Sequence, residues 1–267
     1  MKIKNLLLYI FLIAFFIGCK GKAYRAPSAS MEGTIMTGDI FYVKKTTEFK
    51  RNDIIVFDYY GEDYRSPIVE GKYKMQWSKR VYRLIAMSGD TLNIKDGDVY
   101  VNGRFIPLPP TAMGEYIVAS KVLIDDFPAT ENEPPRLISN NNKDSFLYEV
   151  RLTKAEAADY EQRKPAIMSI QKKSTNLNII DNIFAKSNVT GNWTVDNYGP
   201  LIIPFPGETI SVDTINSRLY HNIPGISNGE NKIKETLYFV MGDNRHGAED
   251  SRFIGLITHS KMVGIVK

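Results

Sequence analysis

Hydrophobic positions in this chain fall into short runs divided by turn residues. Ile40-Phe41-Tyr42-Val43 and Ile54-Ile55-Val56-Phe57 are β-branched and aromatic runs of strand length, and Val81-Tyr82-Arg83-Leu84-Ile85-Ala86 resumes the pattern. Leu92-Asn93-Ile94 and Val99-Tyr100-Val101 flank Lys95-Asp96-Gly97-Asp98, a hairpin signal, and Asn102-Gly103 marks a second tight turn. Leu237-Tyr238-Phe239-Val240-Met241 and Met262-Val263-Gly264-Ile265-Val266 predict two further strands near the C-terminus. Residues 44–50 are polar and predict a loop, and residues 59–78, rich in Gly, charge and Tyr, predict an exposed connection. Helical character is confined to residues 152–161, where Ala and Glu predominate and Thr153 stands three residues before Glu156, the spacing of a capping box. The pattern predicts a mainly β fold.

Two stretches depart from it. Residues 6–18 are almost continuously apolar behind a positive start, Met1-Lys2-Ile3-Lys4. The run is shorter than the roughly 20 residues a membrane-crossing helix needs, and its length suits the apolar region of a signal peptide. It ends in Phe16-Ile17-Gly18-Cys19, similar to a loose bacterial lipobox, so Cys19 is a candidate for lipidation; the alternative is an uncleaved anchor, and the charges on both flanks leave its orientation open. Residues 107–235 open with Pro107, Pro109 and Pro110, contain the helix and carry a polar break at 140–143, which predicts a large inserted α+β lobe. The expected organisation is thus an N-terminal targeting or anchor segment at 1–23, a core in two parts at 24–106 and 236–267, and the lobe between them.

Composition narrows the class. With 267 residues, 43% of them hydrophobic and 24% charged, the chain can bury a sizeable core. Its net charge of +4, from 34 basic and 30 acidic residues, is spread along the sequence, so nucleic acid is not an expected partner. Cys19 is the single cysteine, which excludes an internal disulfide. No phosphate-binding loop, dinucleotide fingerprint or zinc-ligand spacing is present, so no cofactor or metal is expected.

The candidate chemistry centres on Pro27-Ser28-Ala29-Ser30-Met31-Glu32-Gly33-Thr34-Ile35, a serine-rich stretch just beyond the apolar segment. It resembles the nucleophile box of the type I signal peptidases, which reads roughly P-S-x-S-M-x-P-T followed by Leu or Ile. Further boxes of that family follow in order. Arg51-Asn52-Asp53-Ile54-Ile55-Val56-Phe57 resembles its R-G-D-I-V-V-F strand, and Arg83-Leu84-Ile85-Ala86-Met87-Ser88-Gly89-Asp90 its K-R-x-x-x-x-P-G-D box without the lysine. Met241-Gly242-Asp243-Asn244-Arg245 with Asp250-Ser251-Arg252 and Gly255 is similar to its C-terminal box, and residues 196–204 and 207–210 resemble part of the insertion found in some members. The resemblance implies a signal-peptidase-like β-sheet core in a membrane-tethered serine endopeptidase, facing the periplasm or outer side of the cell membrane. Such an enzyme removes signal peptides from exported preproteins at Ala-x-Ala-like sites; its partners are those preproteins and membrane lipid.

Carried over by position, the resemblance makes Ser30 the nucleophile and Ser28 an oxyanion donor with the Ser30 N–H. Asp250 and Arg252, with Asp243, Asn244 and Arg245, shape the site. The family's base is a lysine kept neutral by an apolar setting. Here Tyr82 stands at that position, and Ala248 replaces the serine that orients the lysine. Lys79 is an alternative base, but strand alternation puts residues 79 and 82 on opposite faces; His246 is a further candidate by its titration range. Gly33 replaces a proline and is expected to loosen the nucleophile loop. The second reading is a catalytically impaired homologue that binds exported or envelope proteins through the same cleft.

Overall fold

A computed structural model gives the fold. It describes residues 21–63, 74–128, 134–141, 145–163, 165–173, 193–214 and 216–267. Cys19 and residues 1–20, on which the anchor and lipidation expectations fall, lie outside the described residues.

The largest sheet has seven strands: β1 (Lys22–Arg25), β2 (Ile40–Lys44), β3 (Ile54–Asp63), β4 (Lys74–Met87), β15 (Leu237–Met241), β16 (Ile257–Thr258) and β17 (Met262–Val266). Their spatial order is β1-β2-β17-β3-β4-β15-β16, with every described pairing antiparallel. The strands around Ile54 and Phe239 therefore share one sheet through β4. All five residues of β15 are buried. Leu237, Phe239 and Met241 pack into one hydrophobic cluster, and Tyr238 and Val240 into another that contains Met31, Phe57, Tyr82 and Ala248. A strand covered on both faces reads as an unbroken apolar run, and each such side chain contributes about 1.5–3 kcal/mol by its burial.

A four-stranded sheet, in the order β12-β5-β6-β7, is built from β5 (Thr91–Lys95), β6 (Asp98–Val101), β7 (Arg104–Ile106) and β12 (Tyr198–Ile202). Its turns are those the sequence signals: Asp96-Gly97 and Asn102-Gly103 all have positive φ, as tight primed hairpin turns require. A second sheet, β11-β8-β10-β9, contains β8 (Met113–Ser120), β9 (Arg136–Asn141), β10 (Ser145–Thr153) and β11 (Ile167–Lys172). Helix α1 (Lys154–Arg163) packs on it, and the sheet has its own core of Val118, Tyr148, Val150 and Leu152. A ribbon of β13 (Thr209–Val212) and β14 (Gly229–Lys232) completes the strands.

Two differences from the sequence expectations have physical causes. Much of the 59–78 connection is strand: β3 and β4 pair in continuous register from Ile54 opposite Arg83 to Asp63 opposite Lys74. Their ladder satisfies backbone groups whatever the side chains, so aromatic and charged residues extend the hairpin. The 107–235 stretch is split between cores. Tyr198, Leu201, Ile203, Val212 and Ile233 bury themselves with Phe239 and Met241, and β12 pairs with β5, whereas the separate core belongs to residues between 113 and 173.

Candidate active site

Ser30 lies on a single 3-10 turn, Ala29–Met31, entered from an extended Ser28 and closed by the Glu32 N–H donating to the Ala29 carbonyl at 3.0 Å. The turn is clamped by the Gly242-Asp243-Asn244 segment at the end of β15. The Asn244 N–H donates to the Ser30 carbonyl at 3.2 Å, and Asn244 Nδ2 to the Ala29 carbonyl at 3.1 Å. A Cβ at Gly242 would stand 2.4 Å from the Ser30 carbonyl oxygen and 2.3 Å from the Ala248 Cβ, so only glycine permits this contact. Gly33 has the opposite of a loosening role: its φ of 89° is closed to proline, and a Cβ there would lie 2.0 Å from the Thr111 carbonyl oxygen.

Tyr82 reaches Ser30 from β4. It is 2% exposed, beside Phe57, with its hydroxyl donating to the Glu249 carbonyl at 2.9 Å. Since a carbonyl only accepts, the phenolic proton is committed to Glu249, and the Tyr82 oxygen keeps acceptor capacity towards the neighbouring Ser30. Ser30 Oγ is also 3.0 Å from Ser28 Oγ. Either hydroxyl of that pair can donate. Burial pushes the Tyr82 phenol above its ordinary range; Arg80 and the neighbouring Ser30 pull it down, and the Asp250 carboxylate pushes it up.

Lys79 is not part of this group. The unshifted β3–β4 ladder keeps it on the face opposite Tyr82, where its ammonium pairs with Asp58 at 2.5 Å, half in solvent. His246 is engaged elsewhere: Nδ1 accepts from the Glu115 N–H at 3.3 Å and Nε2 is 3.4 Å from Asp196 Oδ1.

The remaining candidates hold the turn. Asp243 is fully buried and accepts twice from Arg83, at 2.8 and 2.6 Å, and once from the Thr34 hydroxyl at 2.6 Å. Asp250 caps the short helix α2 (Ser251–Ile254). It accepts from the Gly242 N–H and forms a two-pronged pair with Arg252, which is 1% exposed and also donates to the Val195 and Arg245 carbonyls. A pair this deep persists because nearly every polar atom is bonded. Arg245 donates to the Met241 sulfur, and burial, helped by the neighbouring Arg252 charge, pulls it down to about 10. Among the described residues no group of three or more His, Cys, Asp or Glu side chains converges on a possible metal position.

Arg80 and Glu249 escaped the sequence reading. Arg80 was accessible in principle, because it is two residues from Tyr82 on one strand and so shares its face. Glu249 contributes a backbone carbonyl, for which residue identity carries no signal.

The fold and this turn define a mainly β protein built round a buried serine that has a tyrosine, and no histidine, beside it. The chain belongs to the signal peptidase family: the family model described as Signal peptidase, peptidase S26 matches residues 2–267. It is 24% identical to Signal peptidase I of Aquifex aeolicus (strain VF5) over 277 aligned residues, covering 98% of this chain and 80% of that protein. Signal peptidase I of Bacillus licheniformis is 32% identical over 90 residues, 32% of this chain and 41% of its own length. Signal peptidase I P of Bacillus subtilis subsp. natto is 29% identical over 102 residues, 37% of this chain and 46% of its own.

Proposed function

We propose that this chain is a membrane-tethered serine endopeptidase of the signal peptidase I type, acting outside the cytoplasm on exported preproteins with Ala-x-Ala-like cleavage sites. Ser30 is the nucleophile, and Tyr82 receives its proton. The observation that carries this reading is the placement of Ser30 beside the buried Tyr82, with the Ser28 hydroxyl 3.0 Å from Ser30 Oγ and the Tyr82 hydroxyl donating to the Glu249 carbonyl. Ionised Tyr82 takes the Ser30 proton as Oγ bonds to the scissile carbonyl carbon. The resulting phenol then protonates the departing amine as the C–N bond breaks. Once substrate is bound, the Ser28 hydroxyl turns to the developing oxyanion; loss of one such donor costs about a hundredfold or more.

A free tyrosine titrates near about 10, and burial raises Tyr82 further, so only a small fraction is ionised at neutral pH. The sign follows: cleavage rises about tenfold per pH unit from neutral pH towards the phenol's raised value. The test is cleavage of an Ala-x-Ala peptide in detergent from neutral to alkaline pH, with Ser30→Ala as the blank. A Ser30-dependent rate that climbs with pH is expected, and a rate indifferent to Ser30 overturns the reading.

The second reading, a homologue that binds signal segments without cutting them, is favoured by Ala248, which brings no hydroxyl to the site, and by the commitment of the Tyr82 proton to Glu249. Undiminished binding of the peptide by Ser30→Ala, with no cleavage by the parent at any pH, would select it.

A further inference from the structure

We propose that Arg80 is a positioning residue that makes Tyr82 usable as a proton acceptor, an assignment resting on the role proposed for Tyr82. Both side chains leave the same face of β4, and both end on one atom. Arg80 Nη1 donates to the Glu249 carbonyl at 3.1 Å, and the Tyr82 hydroxyl donates to the same oxygen at 2.9 Å. Two donors sharing an acceptor lie within a few ångströms of each other, which sets the guanidinium beside the Tyr82 oxygen. Arg80 is held in place: its side chain is 15% exposed, its guanidinium carbon sits 4.3 Å from the centre of the Tyr59 ring, and Nη1 pairs with the Glu249 carboxylate at 2.8 Å.

The charges facing Tyr82 are few. From its own strand comes Arg80; from the 242–250 turn come the Asp250 carboxylate, directly, and the Glu249 carboxylate, through Arg80. The β3 side brings Ile55 and Phe57, and the Asp58–Lys79 pair lies across the sheet. Arg80 is thus the cation beside an acceptor that burial and Asp250 both disfavour. When Tyr82 is ionised, Arg80 stabilises the phenolate; when Tyr82 carries the proton taken from Ser30, the Arg80–Glu249 pair holds the carbonyl that receives its hydrogen bond. Arg80 keeps its own proton throughout.

Two substitutions move the site in opposite directions. Arg80→Gln removes the cation and shifts the Tyr82 midpoint upwards by about one pH unit or more. Glu249→Gln keeps the backbone carbonyl and the side-chain volume, frees the Arg80 charge and shifts the midpoint down; Arg80→Lys retains the charge and stays near the parent. The measurement is NMR of the protein carrying ring-labelled tyrosine, titrated into the alkaline range, with Tyr82→Phe identifying the resonance. The pH profile of peptide cleavage is expected to move with it. An unmoved Tyr82 midpoint in Glu249→Gln overturns the assignment even if Arg80→Gln does not fold. Absence of Ser30-dependent cleavage in a parent whose midpoint does respond overturns the peptidase reading instead.

Discussion

On the resemblance read from the sequence, Tyr82 takes the position of a lysine, and its surroundings decide what a lysine would do there. The position is 2% exposed beside the Arg80 guanidinium. Burial and a neighbouring cation both lower a lysine's pKa, so a lysine at 82 would be held neutral and able to accept the Ser30 proton near pH 7. Ala248 is 3% exposed, with its Cβ already against Gly242, so serine there adds an oxygen without moving the contact. We expect Tyr82→Lys with Ala248→Ser to raise neutral-pH cleavage of an Ala-x-Ala peptide by about a hundredfold to ten-thousandfold, the usual range for a general base. The lysine change alone should do less. Equal activity in the parent and the double variant, assayed against Ser30→Ala, would mean that position 82 is not where the proton goes. The residue types of this site were legible as a set of spaced motifs, but its hydrogen-bond polarity was not, because that depends on the Glu249 carbonyl, which no side-chain pattern announces.

Local signals specified whole elements where the chain interacts with itself at short range. The capping box at Thr153 is formed as the spacing predicts. Thr153 N–H donates to Glu156 Oε2 at 2.7 Å, and the Glu156 N–H donates to Thr153 Oγ1 at 3.2 Å, starting α1 at Lys154. Thr153→Ala should therefore cost about 0.5–2 kcal/mol. The loss should appear as faster amide exchange in α1 and β10, with the pH profile of cleavage unchanged; unaltered exchange there would show the cap to be dispensable. Strand extent was less accessible. Tyr59, Tyr60, Trp77 and Lys79 do not present a simple apolar alternation, yet each takes its place in the β3–β4 ladder, because the partner strand supplies the missing hydrogen bonds. Tyr60 and Trp77 face one another at 5.4 Å between ring centres, a cross-strand pair that only register creates.

At the scale of the molecule, the described fold begins at Gly21, with Ser30 on the turn that follows its first strand. No helix among the described residues is long and apolar enough to cross a membrane, so the proposed tether rests on the sequence of residues 6–19. If Cys19 carries the lipid, mass spectrometry of the mature protein should find residues 1–18 missing and Cys19 acylated, and Cys19→Ala should accumulate as a longer chain; an intact Met1 would instead favour an uncleaved anchor. The sequence alone determined the predominance of strands, the tight turns and the helix start, since each follows from contacts among residues close along the chain; the candidate nucleophile came from the resemblance of residues 27–35 to a family motif. It also determined that residues 79 and 82 are on opposite faces, which is a property of any regular strand. Tertiary structure decided the rest. It drew residues 195–233 into the core with Phe239, because their apolar side chains find cover there. It gave Gly33 and Gly242 their purpose, through backbone approaches that no Cβ could share. It also brought Arg80, Tyr82, Ser30 and Glu249 to one point from three separate parts of the chain, because side chains on β4 meet the Ser30 turn and the 242–250 turn only when the sheet is assembled.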